Sequence, residues 1–162
     1  MYYTIFNTRV CEIILVGDED GLSYLHLNTP DGKREFNILE NWKRNKRFFR
    51  AAQEQIQAYA AGELIDFDLP LNLQGTAFQK TVWQTLRNIP FGELRTYQDI
   101  AAAVGNPKAA RAVGMANHKN PIPLIVPCHR VIGSNGQLTG FASGLEIKQK
   151  LIQLERSQLQ KG

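Results

Sequence analysis

Short apolar runs separated by turn residues make up the first third of the chain. Residues 11–16 and 22–27 are rich in large apolar side chains, and the Gly- and Asp-rich stretch 17–21 between them has the composition of a tight turn. A second turn at residues 29–32 precedes a further run at 33–38. The pattern predicts short β-strands here.

A helical pattern replaces these runs from about residue 45. Phe49, Ala52 and Ile56 recur at helical spacing. This spacing predicts a helix over residues 45–61, and Gly62 supplies its end.

The middle of the chain predicts a division into two parts. Residues 64–75 have no helical period and are expected to be a linker, whereas residues 77–87 return to a helical pattern. We therefore predict an α/β fold with a small mixed N-terminal α/β domain, residues 1–74. A mostly helical C-terminal domain, residues 75–162, follows and contains a helix-turn-helix.

The helix-turn-helix is predicted from two short helices after residue 95. Thr96 can cap the first helix, residues 97–104, through Asp99. The Gly-Asn-Pro sequence at 105–107 breaks it, and residues 108–115 form the second. Helical hairpins that bind no DNA have the same shape, so this pattern alone leaves both interpretations open.

The second helix carries small side chains at positions where a helix that recognises base sequence carries polar ones. Arg111 stands among four alanines, which offer no hydrogen bonds to base edges: Ala109, Ala110, Ala112 and Ala116. Such a surface approaches a groove closely without choosing a sequence. Arg111 is either a solvated surface cation or a side chain that inserts into the base stack.

Composition limits the class of protein. The 162 residues are 43% hydrophobic and 21% charged, which is typical of a soluble globular protein, and no apolar run is long enough for a membrane span. A net charge of +4 permits an acidic partner such as nucleic acid. Two cysteines are too few for a disulfide scaffold and have no zinc-site spacing, so a reducing cytoplasmic setting is expected.

A basic cluster lies near the start of the first predicted helix. It consists of Lys43, Arg44, Lys46, Arg47 and Arg50. A solvated surface is the ordinary interpretation of such a cluster, and contact with a DNA backbone is the alternative.

The two cysteines differ in their surroundings. Cys11 starts an apolar run and is expected to be a small buried hydrophobe. Cys128 follows Pro127 and precedes His129 and Arg130, and nearby cations lower the cost of forming the nucleophilic thiolate. Adjacent side chains on a strand point to opposite faces, so the sequence alone does not bring His129 against the sulfur.

The stretch NPIPLIVPCHRVIG, residues 120–133, resembles the active-site signature of the O6-alkylguanine-DNA alkyltransferase family. The resemblance runs without gaps from residue 78 to residue 155 and is faint over the first seventy residues. Further matching segments are residues 78–83, Tyr97-Gln98, residues 105–114, Gly140-Phe141 and residues 148–155.

The resemblance implies roles for the residues around the cysteine. Cys128 would accept the alkyl group, and His129 would act as a base through a water, oriented by Glu155. Asn120 would hold the turn that presents the site. Tyr97 would crowd the phosphate, drive rotation of the nucleotide and help protonate the leaving guanine.

The remaining implied roles concern DNA and the substrate pocket. Arg111 would fill the gap left in the base stack, and the protein would approach from the minor groove. Residues that would contact the strand near the lesion are Gln98, Asn106 and Ser134. Residues that would form the substrate pocket are Val131, Phe141, Ala142 and Ser143.

The activity that the resemblance implies is direct repair of duplex DNA containing O6-alkylguanine, irreversible and limited to one turnover. No metal, cofactor or membrane is expected, and the protein is expected to act as a monomer. Activity on O4-alkylthymine and cooperative binding to DNA stay open. The sequence departs from the family at Ser143, where a glycine is usual, and we expect its bulk to narrow tolerance for large adducts.

Three alternatives compete with this interpretation. A protein that only flags lesions would lack the acceptor cysteine, whereas Cys128 is present. A helix-turn-helix transcription regulator would leave the Pro-Cys-His-Arg sequence unexplained. A cysteine hydrolase would need an oxyanion site, for which no pattern is found.

Overall fold

The computed structural model describes residues 1–138 and 141–161. Gly140, which contributes to the resemblance, lies outside the described residues. Within them the predicted fold class is confirmed, because an N-terminal sheet precedes a mostly helical C-terminal part.

A four-stranded sheet forms the N-terminal part. Its strands are β1 (Tyr2–Asn7), β2 (Glu12–Asp18), β3 (Gly21–Asn28) and β4 (Lys43–Arg44), in the spatial order β3-β2-β1-β4. β1, β2 and β3 form an antiparallel meander, and β4 pairs with β1 in parallel. The predicted strands at 11–16 and 22–27 correspond to β2 and β3.

Two features of this sheet differ from the sequence-based expectation. Residues 33–38 form no strand, and β1 was not predicted as a separate strand. Phe36 instead stacks on His26 with ring centroids 5.2 Å apart, so the segment packs across the face of the sheet. Arg34, Phe36 and Ile38 are half-buried and alternate with exposed residues, without ladder hydrogen bonds, and the residue pattern does not specify this arrangement.

The predicted linker, residues 64–75, is an irregular segment that lies on the sheet. Leu22 donates its backbone N–H to the Pro70 carbonyl at 2.9 Å and accepts from Asn72 at 2.8 Å. Leu69, Leu71 and Leu73 pack against the core. The segment is therefore fixed to β3 and not a free tether.

Five helices complete the described structure. They are α1 (Arg50–Ala60), which continues a 3-10 turn at Arg47–Phe49, α2 (Ala77–Arg87), α3 (Tyr97–Ala103), α4 (Ala110–His118) and α5 (Leu145–Lys161). A short parallel pair links β5 (Arg95–Thr96) to β6 (Val131–Ile132).

One continuous core joins the two halves of the chain. Leu15 and Ile56 from the N-terminal half belong to the same buried cluster as Trp83, Ile122 and Leu151 from the C-terminal half. The domain division at residue 74 stays a prediction. No helix in the described part of the chain is long and apolar enough to cross a membrane.

Candidate active site

The loop before Cys128 is held by one asparagine side chain. Asn120 Nδ2 donates to the Val126 carbonyl at 2.8 Å, and Asn120 Oδ1 accepts from the Ile122 backbone N–H at 3.0 Å. Asn120 is buried, so both bonds are shielded from water. This amide closes the loop and fixes the approach of the chain to Cys128.

The same loop contains a residue in a costly backbone conformation. Leu124 has φ +80°, in the left-handed region, and its side chain is buried. A leucine there costs of the order of 1–3 kcal/mol, which surrounding contacts must offset. Pro121, Pro123 and Pro127 donate no backbone hydrogen bonds, so this β-branched run forms a loop and not a strand.

Cys128 begins a 3-10 turn, Cys128–Arg130, that also contains His129. All three side chains are buried. Helix α4, the second helix of the helix-turn-helix and below called the recognition helix, contacts the turn directly, since Asn117 Nδ2 donates to the Cys128 carbonyl at 3.4 Å. The cysteine therefore lies at the C-terminal end of the helix-turn-helix.

Glu155 of α5 is the centre of a buried hydrogen-bond cluster. Its carboxylate contacts His129 Nε2 at 2.6 Å and accepts from Arg130 Nε at 2.8 Å and from the Gly92 backbone N–H at 3.0 Å. It also accepts from the Tyr59 hydroxyl of α1. Four donor residues from three separate segments fix this one carboxylate.

The cluster keeps Glu155 ionised and His129 neutral. Burial alone would raise the pKa of the Glu155 carboxyl, but hydrogen bonds from His129 and Arg130 and the charge of Arg130 outweigh it and hold that pKa well below its usual range. Burial lowers the pKa of His129, against the opposing effect of Glu155. A neutral imidazole that donates from Nε2 to the carboxylate has an acceptor lone pair at Nδ1.

His129 Nδ1 is buried and has no hydrogen-bond partner among the described residues. Buried polar atoms without a partner are rare and usually mark a catalytic role or a bound water. The free acceptor atom is therefore the chemically available end of His129.

Charges from two distant segments act on Cys128. Burial raises the pKa of the thiol, while a hydrogen bond with Asn120 and the charges of Lys148 and Arg34 lower it. Lys148, on α5, is buried, and its pKa falls to about 8 through burial. The expectation that Arg130 assists the thiolate is wrong, because Arg130 is directed to Glu155 and to the Ile89 carbonyl at 2.7 Å.

Arg34 reaches this site from the N-terminal half. Its Nη1 donates to the Asn120 carbonyl at 2.6 Å, and Nη2 donates to the His118 carbonyl at the end of α4. Sequence reasoning missed Arg34, Lys148 and Tyr59, because nothing in their local sequence links them to Cys128.

A small cavity of about 10 Å³ adjoins Cys128. Three of the four predicted pocket residues line it, namely Phe141, Ala142 and Ser143, together with Arg34, Asn117, His118, Asn120 and Pro123. Val131 is fully buried in β6 and does not line it. This space is close to the minimum for one water.

The predicted DNA-contacting residues lie on the surface around α3 and α4. Gln98, Asn106, Arg111 and Ser134 are exposed, and Tyr97 is half-buried. The Tyr97 ring lies beside Gly114 of α4, where an added Cβ would be 3.9 Å from the ring. Met115, which sequence reasoning did not single out, is 56% exposed on the same helix.

No three His, Cys, Asp or Glu side chains in the described residues are close enough together to hold a metal ion. Cys11 packs against the core but is only half-buried, less than the burial expected from its apolar surroundings, and burial raises the pKa of its thiol to about 11.

Two family models match the chain. Residues 77–157 match the DNA-binding domain of 6-O-methylguanine DNA methyltransferase, and residues 1–73 match the ribonuclease-like domain of the same family. The chain belongs to the 6-O-methylguanine DNA methyltransferase family. The resemblance stated from the active-site sequence is therefore confirmed.

Related proteins are similar in sequence to this family member over nearly its whole length. A methylated-DNA–protein-cysteine methyltransferase of Methanosarcina acetivorans is 55% identical over 157 residues, which cover 97% of this chain and 99% of that protein. The constitutive Bacillus subtilis protein of that name is 48% identical, covering 96% of this chain and 95% of its own.

A solved structure agrees equally well. The Mycobacterium tuberculosis OGT in complex with DNA superposes with a TM-score of 0.89 at 42% identity, covering 98% of this chain and 94% of that one. The N-terminal half, where the sequence resemblance was faint, therefore shares the fold.

Proposed function

We propose that this protein repairs duplex DNA by moving the alkyl group of O6-alkylguanine onto Cys128 Sγ. Membership of the family and relatives named methylated-DNA–protein-cysteine methyltransferase support transfer of a methyl group from DNA to a protein cysteine. The observation that carries the choice of Cys128 is its position beside the end of α4, within the turn that also holds His129.

The reaction is a direct displacement at the alkyl carbon. A bond forms between Cys128 Sγ and that carbon while the carbon–O6 bond breaks, and its electron pair stays on the guanine. The thiol proton leaves Cys128 and guanine gains one, so the protonation balance closes without a cofactor.

His129 is the base in this proposal. Its Nε2–H is committed to the ionised Glu155, which leaves Nδ1 as the acceptor for the Cys128 proton, directly or through one water. Glu155 fixes the tautomer and orientation of the ring and stabilises the imidazolium that forms. Asn120 holds the loop that presents Cys128.

The lesion base leaves the duplex before the transfer, because Cys128 is buried and cannot reach into a base stack. The small side chains of α4 allow close approach to the minor groove, and Arg111 fills the space that the base vacates. Tyr97 crowds the phosphate and assists protonation of the guanine, while Gln98, Asn106 and Ser134 contact the strand.

The reaction ends after one turnover in each molecule. The product at Cys128 is a thioether, which has no easily hydrolysed bond. Repair therefore consumes one protein molecule for each lesion, and the protein acts as a monomer.

Mass spectrometry of the protein after mixing with duplex DNA containing O6-methylguanine tests this proposal. The expected result is one methyl group on the peptide that contains Cys128, with the lesion restored to guanine and no further conversion when DNA is in excess. The control is Cys128→Ser, which should bind the same duplex and remain unmodified.

Two results would contradict the proposal in different ways. An unmodified wild-type protein that still binds the lesion would favour a protein that flags damage without repairing it. Repeated turnover would show that the thioether is not the end state.

A further inference from the structure

The solvent-facing side of α1 carries a basic groove that the proposed repair reaction does not use. Its volume is about 920 Å³. We call it the α1 groove; it is lined by Arg9, Lys46, Arg47, Arg50, Gln53, Glu54, Gln57, Ala58, Ala61 and Glu63. Lys43 and Arg44 of β4 are also exposed and precede it in the chain.

Most of its cations are not neutralised within the protein. Arg50 pairs with Glu54 at 3.3 Å, but both side chains are largely exposed, so this pair is weak. Arg9, Lys46 and Arg47 form no ion pair with any residue that the structure describes. The groove therefore presents net positive charge to solvent.

The position of these cations is unfavourable for the helix itself. Lys46, Arg47 and Arg50 lie at the start of the 3-10 turn and α1, where the backbone N–H groups already make the helix end positive. No acidic residue occupies the first turn, and the side chain that accepts a backbone hydrogen bond there carries no charge, since Asn45 Oδ1 accepts from the Phe48 N–H at 3.0 Å. Cations at this end lower helix stability, and an anionic partner would reverse that cost.

The form of the groove favours a polyanion over a small anion. Its cations are exposed and on long side chains, so no enclosed set of donors surrounds a single phosphate. Exposed cations spread over a surface match a nucleic-acid backbone, which gains affinity by releasing counterions as each phosphate is neutralised.

The groove faces away from the helix-turn-helix. The opposite side of α1 buries Ile56 and directs the Tyr59 hydroxyl to Glu155, which contacts His129. The recognition helix α4 adjoins the Cys128 turn through Asn117. The buried His129–Glu155 pair thus separates α1 from α4, so a duplex seated on α4 does not extend to the outer side of α1.

We propose that the α1 groove binds the phosphate backbone of a second DNA segment while the helix-turn-helix holds the first. One protein molecule then bridges two segments of DNA, which permits direct passage between them during a search for damage. Binding at the groove is independent of base sequence, because the lining cations are positioned for phosphates alone.

Sedimentation with short duplexes, each long enough for one protein molecule, tests the proposal. Wild-type protein saturated with an unlabelled undamaged duplex should take up one further fluorescent duplex, giving a complex of one protein and two duplexes. The double variant Lys46→Gln/Arg47→Gln should lose the second duplex. Its alkyl transfer to Cys128, followed separately by mass spectrometry, should keep the wild-type rate.

Salt titration and a matched variant sharpen this test. Removing two phosphate contacts should make the slope of log K for the second duplex against log salt less steep by about 2. The control Lys80→Gln/Arg156→Gln removes two exposed cations from α2 and α5 and should retain the second duplex.

Several outcomes would overturn the proposal. These are a wild-type complex with one duplex only, an unchanged complex and salt slope in Lys46→Gln/Arg47→Gln, or equal loss in the control variant. A complex of two proteins and two duplexes would assign the bridging to self-association. Displacement of the second duplex by inorganic phosphate, at a concentration equal to that of the phosphate groups in the duplex, would indicate a site for small anions.

Discussion

Cys128 is a buried thiol whose ionisation depends on residues far from it in the chain. Burial raises its pKa, and the compensating effects come from Asn120, Lys148 and Arg34. His129, its neighbour in sequence, is not among the groups that shift the pKa of this thiol. At the scale of single residues, the neighbour of Cys128 in the chain thus does not set the ionisation of its thiol. The charges that favour the thiolate are those of Lys148 and Arg34.

Lys148 gives a prediction that depends on pH. Its ammonium group is charged below its pKa of about 8 and favours the Cys128 thiolate there. Lys148→Gln should therefore slow alkyl transfer about tenfold at pH 7, equivalent to about 1.4 kcal/mol. The difference from wild type should shrink above pH 8, where the wild-type lysine is itself neutral.

Single-turnover rates between pH 6.5 and 9 measure this effect. Lys150→Gln is the matched control, because Lys150 lies on the same helix with an exposed side chain. Parallel rate profiles for wild type and Lys148→Gln would contradict a charge effect and indicate a role in packing alone.

Ser143 gives a prediction about substrate size. It is buried and lines the cavity beside Cys128, so its side chain occupies space that a large adduct needs. Ser143→Gly should raise the ratio of benzyl to methyl transfer rates about tenfold. Competition between the two lesion duplexes measures the ratio, Ser134→Gly is the exposed control, and an unchanged ratio would refute the idea.

The neighbouring Gly144, unlike Ser143, has a backbone conformation that disfavours any other residue. Gly144 has φ +109°, and a side chain there would also meet the Asp31 carboxylate. Position 143 has no positive φ, so it accepts a serine.

At the scale of elements, the capping signal predicted at Thr96 is confirmed. Thr96 and Asp99 form the capping box that starts α3, and Thr76 forms another with Gln79 at α2, which was not predicted. The predicted helix at residues 77–87 matches α2, and the two helices of the helix-turn-helix differ from prediction by only a few residues at their ends. Such signals depend on residues within one turn of each other, so the sequence reports them directly.

The two capping boxes provide a matched pair of variants. Thr96→Ala and Thr76→Ala should each lower the free energy of unfolding by about 1 kcal/mol. Thr96→Ala should also weaken binding to undamaged duplex DNA, because Tyr97 and Gln98 form the first turn of α3.

Urea unfolding and fluorescence anisotropy with labelled duplex separate the two effects. Thr76→Ala should keep the wild-type affinity for DNA. Equal loss of affinity in both variants would show that general stability, and not the geometry of α3, controls binding.

Elements made by distant partners were read less well. Residues 33–38 have an alternating pattern but pack across the sheet, and the actual fourth strand, β4, has only two residues, both charged. The apolar run before Cys128 is a closed loop that depends on the Asn120 amide and on Leu124 in the left-handed region. Pairing partners and loop closure are set by tertiary contacts, which override local propensity.

At the scale of the whole molecule, the two halves share the reaction cluster. Tyr59 of α1 donates to Glu155 of α5, and Arg34 of the N-terminal half holds the carbonyl of Asn120. The N-terminal half therefore supports the geometry around Cys128.

The buried histidine predicts how stability depends on pH. Burial lowers the pKa of His129, and burial followed by the charge of Arg34 lowers that of His26. As pH falls below about 6.5, the unfolded chain binds protons that the folded chain resists, so the free energy of unfolding should fall. The slope should not exceed about 1.4 kcal/mol per pH unit for each histidine.

Urea midpoints at pH 7.5 and pH 5.5 measure this dependence. His129→Gln and His26→Gln should each flatten it, whatever their effect on stability at pH 7.5. An unchanged slope in His129→Gln would mean that the imidazole is protonated in the folded protein.

The sequence by itself determined the features that depend on short range. Helix periodicity, capping, turn chemistry and the motif around Cys128 were enough for the fold class, the helix-turn-helix and the family. These signals persist in the sequence because each is produced by residues within a few positions of one another.

Only the tertiary structure decided which further side chains act on Cys128 and His129. Arg34, Tyr59 and Lys148 come from three separate segments and meet at one buried site with Glu155, which the family resemblance had already implied. The effects of charges and hydrogen bonds on buried groups depend on distance and on the exclusion of water. The number of residues between two groups in the sequence gives neither their distance nor their burial. The pKa directions and the unpartnered Nδ1 of His129 are therefore properties of the folded chain.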